Sequence, residues 1–286
     1  MNVVTDAAAN LTPERAAELG VKVVPFQVTF NGQTYRDGVD IQPGDLYRMY
    51  DEFPNEYPET SQPSVGDLFK AYQEAEHEHI LSLHLSSGLS GAYSSAEHAA
   101  RMTPEKQVTV IDSRTVGPAL GWMVEAAAIG VQRGWPFERI LEAIQLVKEN
   151  TLTMVAFTDM KYLIHSGRVS HLKSIIASVL RIKPIIGMNA EDGRYSSLGQ
   201  EMTMQRLVRK MAGLVHNRFG EQKLRLQLMY GNNMAGADQL REALHNVVTS
   251  VEDKVVPVTL VLGAHAGPTV FGLAAAPQAV FDRLYE

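Results

Sequence analysis

Runs of alternating apolar and polar residues are followed by stretches with helical spacing along the first half of the chain. The strand-like runs lie at 80–85, 107–112 and 152–157, and the helix-like stretches lie at 92–102, 116–133 and 136–148. Strands that alternate with helices in this way favour a parallel sheet with right-handed crossovers. The pattern therefore predicts an α/β fold.

Capping and turn residues place further elements near the N-terminus. Thr12 is a good N-cap, Pro13 suits the first position of a helix, and Gly20 suits its end. The alternating run 21–30 predicts a strand, and Asn31-Gly32 is a strong hairpin signal. Ser64 is the expected N-cap of a helix over 65–75.

The character of the pattern changes near residue 159. The expected elements beyond it are a short helix that ends near Gly167, an apolar stretch at 174–180, strands at 182–188, 224–229 and 255–261, a hairpin turn at 191–194, and helices at 203–218 and 235–247. A chain of 286 residues exceeds the usual size of a single core. We therefore predict two domains, with the boundary between residues 158 and 159.

Composition excludes several classes of protein. A net charge of −6 provides no basic surface for nucleic acid or anionic membranes, and the absence of cysteine excludes disulfides and thiol chemistry. The N-terminal residues are typical of a strand rather than a signal peptide, and no apolar run is long enough to span a bilayer. A cytoplasmic protein without a membrane segment is expected.

The stretch 81–93 carries the strongest chemical signal. A predicted strand ends in Ser86-Ser87-Gly88-Leu89-Ser90-Gly91, and a predicted helix follows. The first amides of a helix lack intrahelical partners and lie at the positive end of its dipole. The loop therefore fits either an anion site or an ordinary turn with a serine N-cap.

A serine hydrolase is one interpretation of these residues. Gly88-Leu89-Ser90-Gly91-Ala92 is close to the G-x-S-x-G pattern, with alanine in place of the last glycine. His265 lies downstream, and Asp112 or Asp159 lies between, in the order found in α/β-hydrolases. This interpretation leaves Ser86 and Ser87 without a role.

A metal site formed by His77, His79 and His84 is a second interpretation. These histidines do not have a recognised zinc spacing, and glutamates surround the first two. A solvated run of charges explains them better, so we predict no metal site.

A carboxylate-binding pocket is the third interpretation. Hydroxyls of Thr60, Ser61 and Ser90, helix amides and His265 are suitable donors for one anionic head group. His265 is expected in a glycine-rich loop that follows the strand 255–261. The apolar runs 120–131 and 175–180 suit either a cavity for a long tail or ordinary core.

Several blocks of sequence, in order along the chain, resemble the DegV family of fatty-acid-binding proteins. They are Thr5-Asp6, Tyr35-Arg36-Asp37-Gly38-Val39-Asp40, Thr60-Ser61-Gln62-Pro63-Ser64, Leu85-Ser86-Ser87-Gly88-Leu89-Ser90-Gly91, Ile111-Asp112-Ser113, Gly167-Arg168-Val169-Ser170, Ile182-Lys183-Pro184 and Gly263-Ala264-His265-Ala266-Gly267-Pro268. The resemblance implies a parallel N-terminal α/β domain, a second α/β domain with a mixed sheet, and a fatty acid between them.

The resemblance also implies a function and its residues. A long-chain fatty acid, with its carboxylate held by Thr60, Ser61, Ser90 and His265, would be presented to a separate ATP-dependent fatty acid kinase. The protein would need no cofactor, would have no catalytic activity alone, and would serve phospholipid metabolism. Arg168 would be the candidate for kinase docking. A serine hydrolase, or a binder of another small carboxylate, remains the alternative.

The chain departs from the family pattern at three places. Ala7-Ala8-Ala9-Asn10 follows Thr5-Asp6 where the family has hydroxyl residues, Ser166-Gly167-Arg168 replaces Gly-Gly-Arg, and Gly267-Pro268-Thr269 replaces Gly-Pro-Gly. These changes bear on ligand preference and kinase docking rather than on the fold.

Overall fold

A computed structural model of the protein describes residues 1–169 and 182–285. The strands are β1 Asn2–Asp6, β2 Val21–Val24, β3 Gln27–Phe30, β4 Gln33–Arg36, β5 Glu59–Ser61, β6 His79–His84, β7 Gln107–Asp112, β8 Leu152–Ala156, β9 Lys183–Met188, β10 Tyr195–Glu201, β11 Leu224–Tyr230, β12 Ser250–Glu252, β13 Val256–Pro257 and β14 Phe271–Pro277. The helices are α1 Pro13–Leu19, α2 Pro43–Glu52, α3 Val65–Gln73, α4 Ala92–Arg101, α5 Pro118–Gln132, α6 Phe137–Asn150, α7 Lys161–His165, α8 Met204–Phe219, α9 Ala235–His245, α10 Leu260–Ala266 and α11 Gln278–Tyr285. Ala7–Ala9 forms one 3₁₀ turn.

A parallel sheet of order β2-β1-β6-β7 forms the N-terminal layer. Residues of α3 and α4 pack on one face of this sheet, and residues of α5 and α6 pack on the other. The central strands β1 and β6 are buried on both faces, and their polar residues Thr5, Asp6, Ser82 and His84 are buried with the apolar ones. The fold class predicted from the sequence is confirmed.

A second, mixed sheet has the order β10-β9-β8-β14-β11-β12, and β13 also pairs with β11. The helix α5 lies between the two sheets, because its residues share one core cluster with Leu81 and Leu83 of the first and Ala274 and Ala276 of the second. Its residues 118–130 are all buried, as their composition predicts for a helix apolar all round.

Strand β8 belongs to this second sheet, where it pairs antiparallel with β14 and β9. The chain therefore enters the mixed sheet before the residue chosen as the domain boundary. The division into 1–158 and 159–286 stays a prediction.

Two strand predictions are corrected by the structure. The expected strand over 255–261 is only the two-residue β13, and α10 begins at Leu260. The expected strand over 21–30 is divided into β2 and β3 around Pro25, whose missing N–H cannot join a ladder. The apolar stretch predicted at 174–180, the run 175–180 and Ser170 lie outside the described residues.

A membrane-spanning helix is absent from the described parts of the chain, since none of their helices is both long and apolar enough to cross a bilayer.

Candidate functional site

A polar cavity of about 360 Å³ opens where the Ser86–Gly91 loop meets α10. Thr60, Ser90 and His265, which lie far apart in sequence, all line it. Its other polar or charged lining residues are Gln62, Ser87, Arg168 and Tyr195. The structure therefore brings three of the four predicted head-group residues to one space.

Thr60 and His265 form a hydrogen-bonded pair in this cavity. His265 Nε2 lies 2.7 Å from Thr60 Oγ1. If Nε2 carries the proton, the Thr60 hydroxyl is free to donate to a ligand. If Nδ1 carries the proton, Nε2 accepts from the Thr60 hydroxyl, and the Nδ1–H group of the ring can donate. Either arrangement leaves at least one donor for an anion.

Ser61 is not brought into the cavity. Thr60 and Ser61 lie on the short strand β5 rather than in the loop that the sequence suggested, and side chains alternate along a strand. Thr60 is half-buried and faces His265, whereas Ser61 is exposed and does not line the cavity.

His265 lies in the last turn of α10, not in the strand-end loop predicted for it. Asp37, which is remote in sequence, fixes the start of α10. Its carboxylate oxygens accept hydrogen bonds from the amides of Leu260 (3.0 Å) and Val261 (2.8 Å). Burial raises the pKa of Asp37 to about 6. Asp37 thus positions His265 although it does not line the polar cavity.

The serines of the Ser86–Gly91 loop have different roles. The Ser86 hydroxyl is buried and donates to the carbonyl of Gly193 at 2.7 Å, and the Ser87 hydroxyl donates to Asp112 Oδ2 at 2.6 Å. Ser90 Oγ accepts a hydrogen bond from the Ala92 amide at 3.2 Å, so its own proton remains available. Ser90 is the serine of this loop that can donate into the cavity.

His84, one of the three histidines considered as metal ligands, has two buried polar partners. His84 is fully buried, with Nδ1 3.0 Å from Asp6 Oδ2 and Nε2 2.7 Å from Ser82 Oγ. Asp6 also accepts the Leu85 amide at 2.9 Å, so it ties the end of β6 to β1. His84 is therefore a structural residue.

The loop that departs most from the family pattern, Ala7-Ala8-Ala9-Asn10, does not line the polar cavity. Ala7 and Ala8 are buried in a cluster with Phe26 and Val116, and neither lines the polar cavity. Replacing hydroxyl residues by alanine at positions 7 and 8 therefore removes no donor from the residues that line this cavity.

A narrow apolar cavity of about 40 Å³ adjoins the polar one. Val116, Tyr195 and Leu262 line both. The apolar cavity lies against the mixed sheet, and its other walls include side chains of Val155, Phe157, Leu163, Ile186, Met188, Met229, Val258 and Val270. Except for Thr153 and Tyr195, its lining residues are apolar or glycine.

The electrostatics of the polar cavity favour neutral donors beside one cation. Burial and the positive charge of Arg168 lower the pKa of His265 to about 3, so its ring is neutral at pH 7. Burial raises the pKa of Tyr195 to about 12, so its hydroxyl keeps its proton. The cavity therefore offers hydroxyl and imidazole donors together with the Arg168 guanidinium.

Arg168 has a structural contact as well as a place in the cavity wall. Its Nη1 donates to the Ser166 carbonyl at 2.6 Å, just beyond the end of α7, and the side chain is half-buried. This contact fixes the direction in which the guanidinium points.

The geometry argues against a serine hydrolase. Asp112 is occupied by Ser87 and by the amides of Ser87 and Arg114, while Asp159 accepts the Lys161 amide. Within residues 1–169 and 182–285, His265 has no carboxylate partner that would orient the ring and stabilise its cation. A ring with so low a pKa is also a poor general base.

The described residues contain no group of three or more histidine, aspartate or glutamate side chains arranged to hold a metal ion.

Gln62 and Tyr195 are cavity residues that sequence reasoning did not select as site residues. Gln62 belongs to the segment Thr60-Ser61-Gln62-Pro63-Ser64 that resembles the family, and its place directly after Thr60-Ser61 was the available signal. Tyr195 follows a predicted hairpin turn, and nothing in its local sequence indicates a site. Its position depends on β10 pairing with β9, where Tyr195 is opposite Met188.

Comparisons with known proteins agree with this architecture. A family model described as "Uncharacterised protein, DegV family" matches residues 1–278. A DegV domain-containing protein of Halalkalibacterium halodurans is 30% identical over 277 residues, covering 95% of this chain and 96% of that protein.

Two solved structures are similar over nearly the whole chain. One, a DegV family protein from Thermus thermophilus described as binding fatty acid, has a TM-score of 0.88 and 27% identity, covering 96% of this chain and 99% of that one. The other, described as DegV, a fatty acid binding protein from Bacillus subtilis, has a TM-score of 0.85 and 25% identity, covering 96% and 98%. The protein described here belongs to the DegV family.

Proposed function

We propose that this protein binds a long-chain fatty acid, with the carboxylate in the polar cavity and the acyl chain in the apolar one. The observation that carries the proposal is that the two cavities share Val116, Tyr195 and Leu262. A space that is polar at one end and apolar at the other matches the two ends of a fatty acid. The two DegV structures described as fatty-acid-binding support the same ligand class.

The head group would be held by Thr60, Ser90 and His265. Hydrogen bonds from neutral donors to a carboxylate are charge-assisted and contribute about 1.5–3 kcal/mol each. Such binding needs no cofactor, no activated nucleophile and no general base. Ser61, which points away from the cavity, has no part in this proposal.

The acyl chain would require movement of the cavity walls. A volume of about 40 Å³ holds only part of a long chain. Met188 and Met229, which line it, are unbranched and flexible and can adapt to a ligand at small cost. The ligand would therefore complete the core between the sheet and α10, and binding should stabilise the fold.

Native mass spectrometry of the purified protein tests the proposal. We expect a mass above that of the chain by one fatty acid, which is lost after extraction with organic solvent and restored by adding oleate. Purified protein that carries no fatty acid and does not take up oleate would contradict the proposal.

A fluorophosphonate probe separates this proposal from the hydrolase alternative. The probe reacts with serines that an adjacent base activates, and His265 with a pKa near 3 does not activate Ser90. We expect no labelling at Ser90 and no turnover of short acyl esters. Stoichiometric labelling at Ser90 would favour the hydrolase.

We further propose that a separate ATP-dependent kinase phosphorylates the bound carboxylate, in the cytoplasm where ATP is available. Phosphoryl transfer needs positive charge near the carboxylate, and Arg168 supplies a guanidinium in the wall of the same cavity. Arg168 would then dock the kinase or stabilise phosphate charge.

Replacing Arg168 with alanine tests that role. We expect fatty acid affinity to stay within about threefold and acyl phosphate formation with the cognate kinase to fall at least tenfold, about 1.4 kcal/mol. Lys161→Ala, which removes an exposed cation of α7, is the matched control and should leave both unchanged. Equal losses of affinity and phosphorylation, with a lower melting temperature, would show that Arg168 is only structural.

A further inference from the structure

Among the described residues, the Thr153 hydroxyl in the apolar cavity has no hydrogen-bond partner. Thr153 is 6% exposed, and its Oγ1 is buried without a donor or acceptor among the described residues. Buried hydroxyls are normally paired, because leaving one unpaired costs the desolvation of the group. This hydroxyl therefore requires an explanation.

The strand geometry directs Thr153 into the cavity. Side chains alternate along β8, and Val155 and Phe157, which share a face with Thr153, line the apolar cavity. Met154, on the opposite face, packs in the core with Leu226 and Leu273. The unpaired hydroxyl thus faces the space proposed for the acyl chain.

Its depth in the cavity follows from the register of the mixed sheet. Tyr195, which lines both cavities, is opposite Met188 on β9, and the pairing of Met154 with Gly187 places Thr153 in the same row. Two strand spacings give about 10 Å between the Tyr195 and Thr153 positions. In the proposed complex Thr153 would therefore face the acyl chain rather than the carboxylate.

A second cavity, distinct from the polar and apolar cavities, also borders on Thr153. Thr153 and Met188 also line a space of about 100 Å³ whose other walls include polar side chains of Ser113, Arg114, Thr115, Lys148 and Thr151. Thr153 thus lies where the apolar cavity meets a space lined by both polar and apolar residues. An unsubstituted hydrocarbon can make no hydrogen bond to the polar groups there.

We propose that Thr153 is a specificity residue that hydrogen-bonds an oxygen on the acyl chain, so that the preferred ligand is a long-chain hydroxy fatty acid. A threonine hydroxyl both donates and accepts, so it can pair with a chain hydroxyl in either direction. The inference rests on the proposed function and adds the class of fatty acid. A hydroxyl at the right carbon completes the pairing of Thr153, whereas a plain chain leaves it buried and unpaired.

The test is a set of dissociation constants for octadecanoic acid and its positional monohydroxy analogues. For the native protein we expect one hydroxylated position to bind about threefold to tenfold tighter than the unsubstituted acid, as one net neutral hydrogen bond allows. Thr153→Val keeps the shape and removes the hydroxyl, so it should abolish the preference and bind octadecanoic acid at least as tightly as before. Thr153→Ser should keep the preference.

Thr151→Val is the matched control. The Thr151 hydroxyl lines the second cavity but already donates to the Val147 carbonyl at 2.7 Å, so its loss should leave the preference unchanged. Tight binding of octadecanoic acid without any hydroxyl preference, or a preference that survives in Thr153→Val, would overturn this inference alone. Failure of every fatty acid to bind the native protein would overturn the proposed function and this inference with it.

Discussion

Replacing His265 with alanine should weaken binding of a long-chain fatty acid by about tenfold to a hundredfold, which is about 1.4–2.7 kcal/mol. The variant loses a neutral donor to the carboxylate and also leaves Thr60 without its 2.7 Å partner. Ser90→Ala should have a similar effect, because it removes another hydroxyl that can donate into the same cavity. Isothermal titration with oleate on delipidated protein measures both.

Three further variants make this prediction specific. Thr60→Ala should weaken binding, whereas Ser61→Ala removes the neighbouring hydroxyl that points outward and should change affinity less than twofold. His265→Asn keeps a neutral N–H donor and should retain more affinity than His265→Ala. Unchanged affinity in both His265→Ala and Ser90→Ala would refute the assignment of the head-group site.

The pairing of Thr60 with His265 also predicts how the losses combine. Residues that share a hydrogen bond couple, so the double variant Thr60→Ala/His265→Ala should lose less binding free energy than the sum of the two single losses.

Since the ring is neutral at and above pH 5, the affinity of native protein should not change between pH 6 and 8 through titration of His265.

Helix caps and hairpin turns of this fold were predicted correctly from the sequence. Thr12 caps α1 through a hydrogen bond from the Arg15 amide, and Gly20 ends the helix in the left-handed region. The turns at Asn31-Gly32 and at 191–194 join β3 to β4 and β9 to β10 as expected. These signals were readable because the physical cause lies within a few residues of the effect.

The segment around His265 was predicted incorrectly because its cause is distant. Residues 255–261 are rich in valine, which favours a strand, yet a helix begins at Leu260. The amides of its first turn are satisfied by Asp37, more than 220 residues earlier in the chain. No local pattern can show a cap of that kind.

The sequence indicated the hydroxyl-rich segments as a group but could not distinguish their individual residues. The sequence indicated donors at Ser86, Ser87 and Ser90 alike, and the structure leaves only Ser90 available, because Gly193 and Asp112 occupy the other two. Thr60 and Ser61 likewise cannot be distinguished by sequence. In the structure they lie next to each other on β5, so the Thr60 side chain faces inward and the Ser61 side chain faces outward. Tertiary contacts made these distinctions.

The contact between the β9–β10 turn and the Ser86–Gly91 loop gives the last prediction. The Ser86 hydroxyl donates to the Gly193 carbonyl, and a β-carbon at Gly193 would overlap that hydroxyl. Gly88 is as tightly placed, since a β-carbon there would lie 2.5 Å from the Asp192 carbonyl oxygen. The turn and the loop are thus in direct backbone contact.

Gly193→Ala should therefore separate the turn from the loop. A left-handed alanine costs about 1–2 kcal/mol and overpacking adds about 1–3 kcal/mol, so we expect a loss of about 2–5 kcal/mol in the free energy of unfolding. Ser90 follows the loop residues that contact the turn, and Tyr195 directly follows the turn. Displacing this contact should move both cavity residues, so fatty acid affinity should fall as well. Denaturant unfolding and oleate titration measure the two effects.

Gly134→Ala is the matched control for backbone conformation. Both glycines have φ of 66°, but a β-carbon at Gly134 would meet nothing within 4 Å. This variant should lose only about 1–2 kcal/mol of stability and none of its fatty acid affinity, since Gly134 lies past the end of α5 and away from the cavity. If the two variants were equally stable and bound oleate equally well, steric contact between the turn and the loop would not hold the head-group site in place.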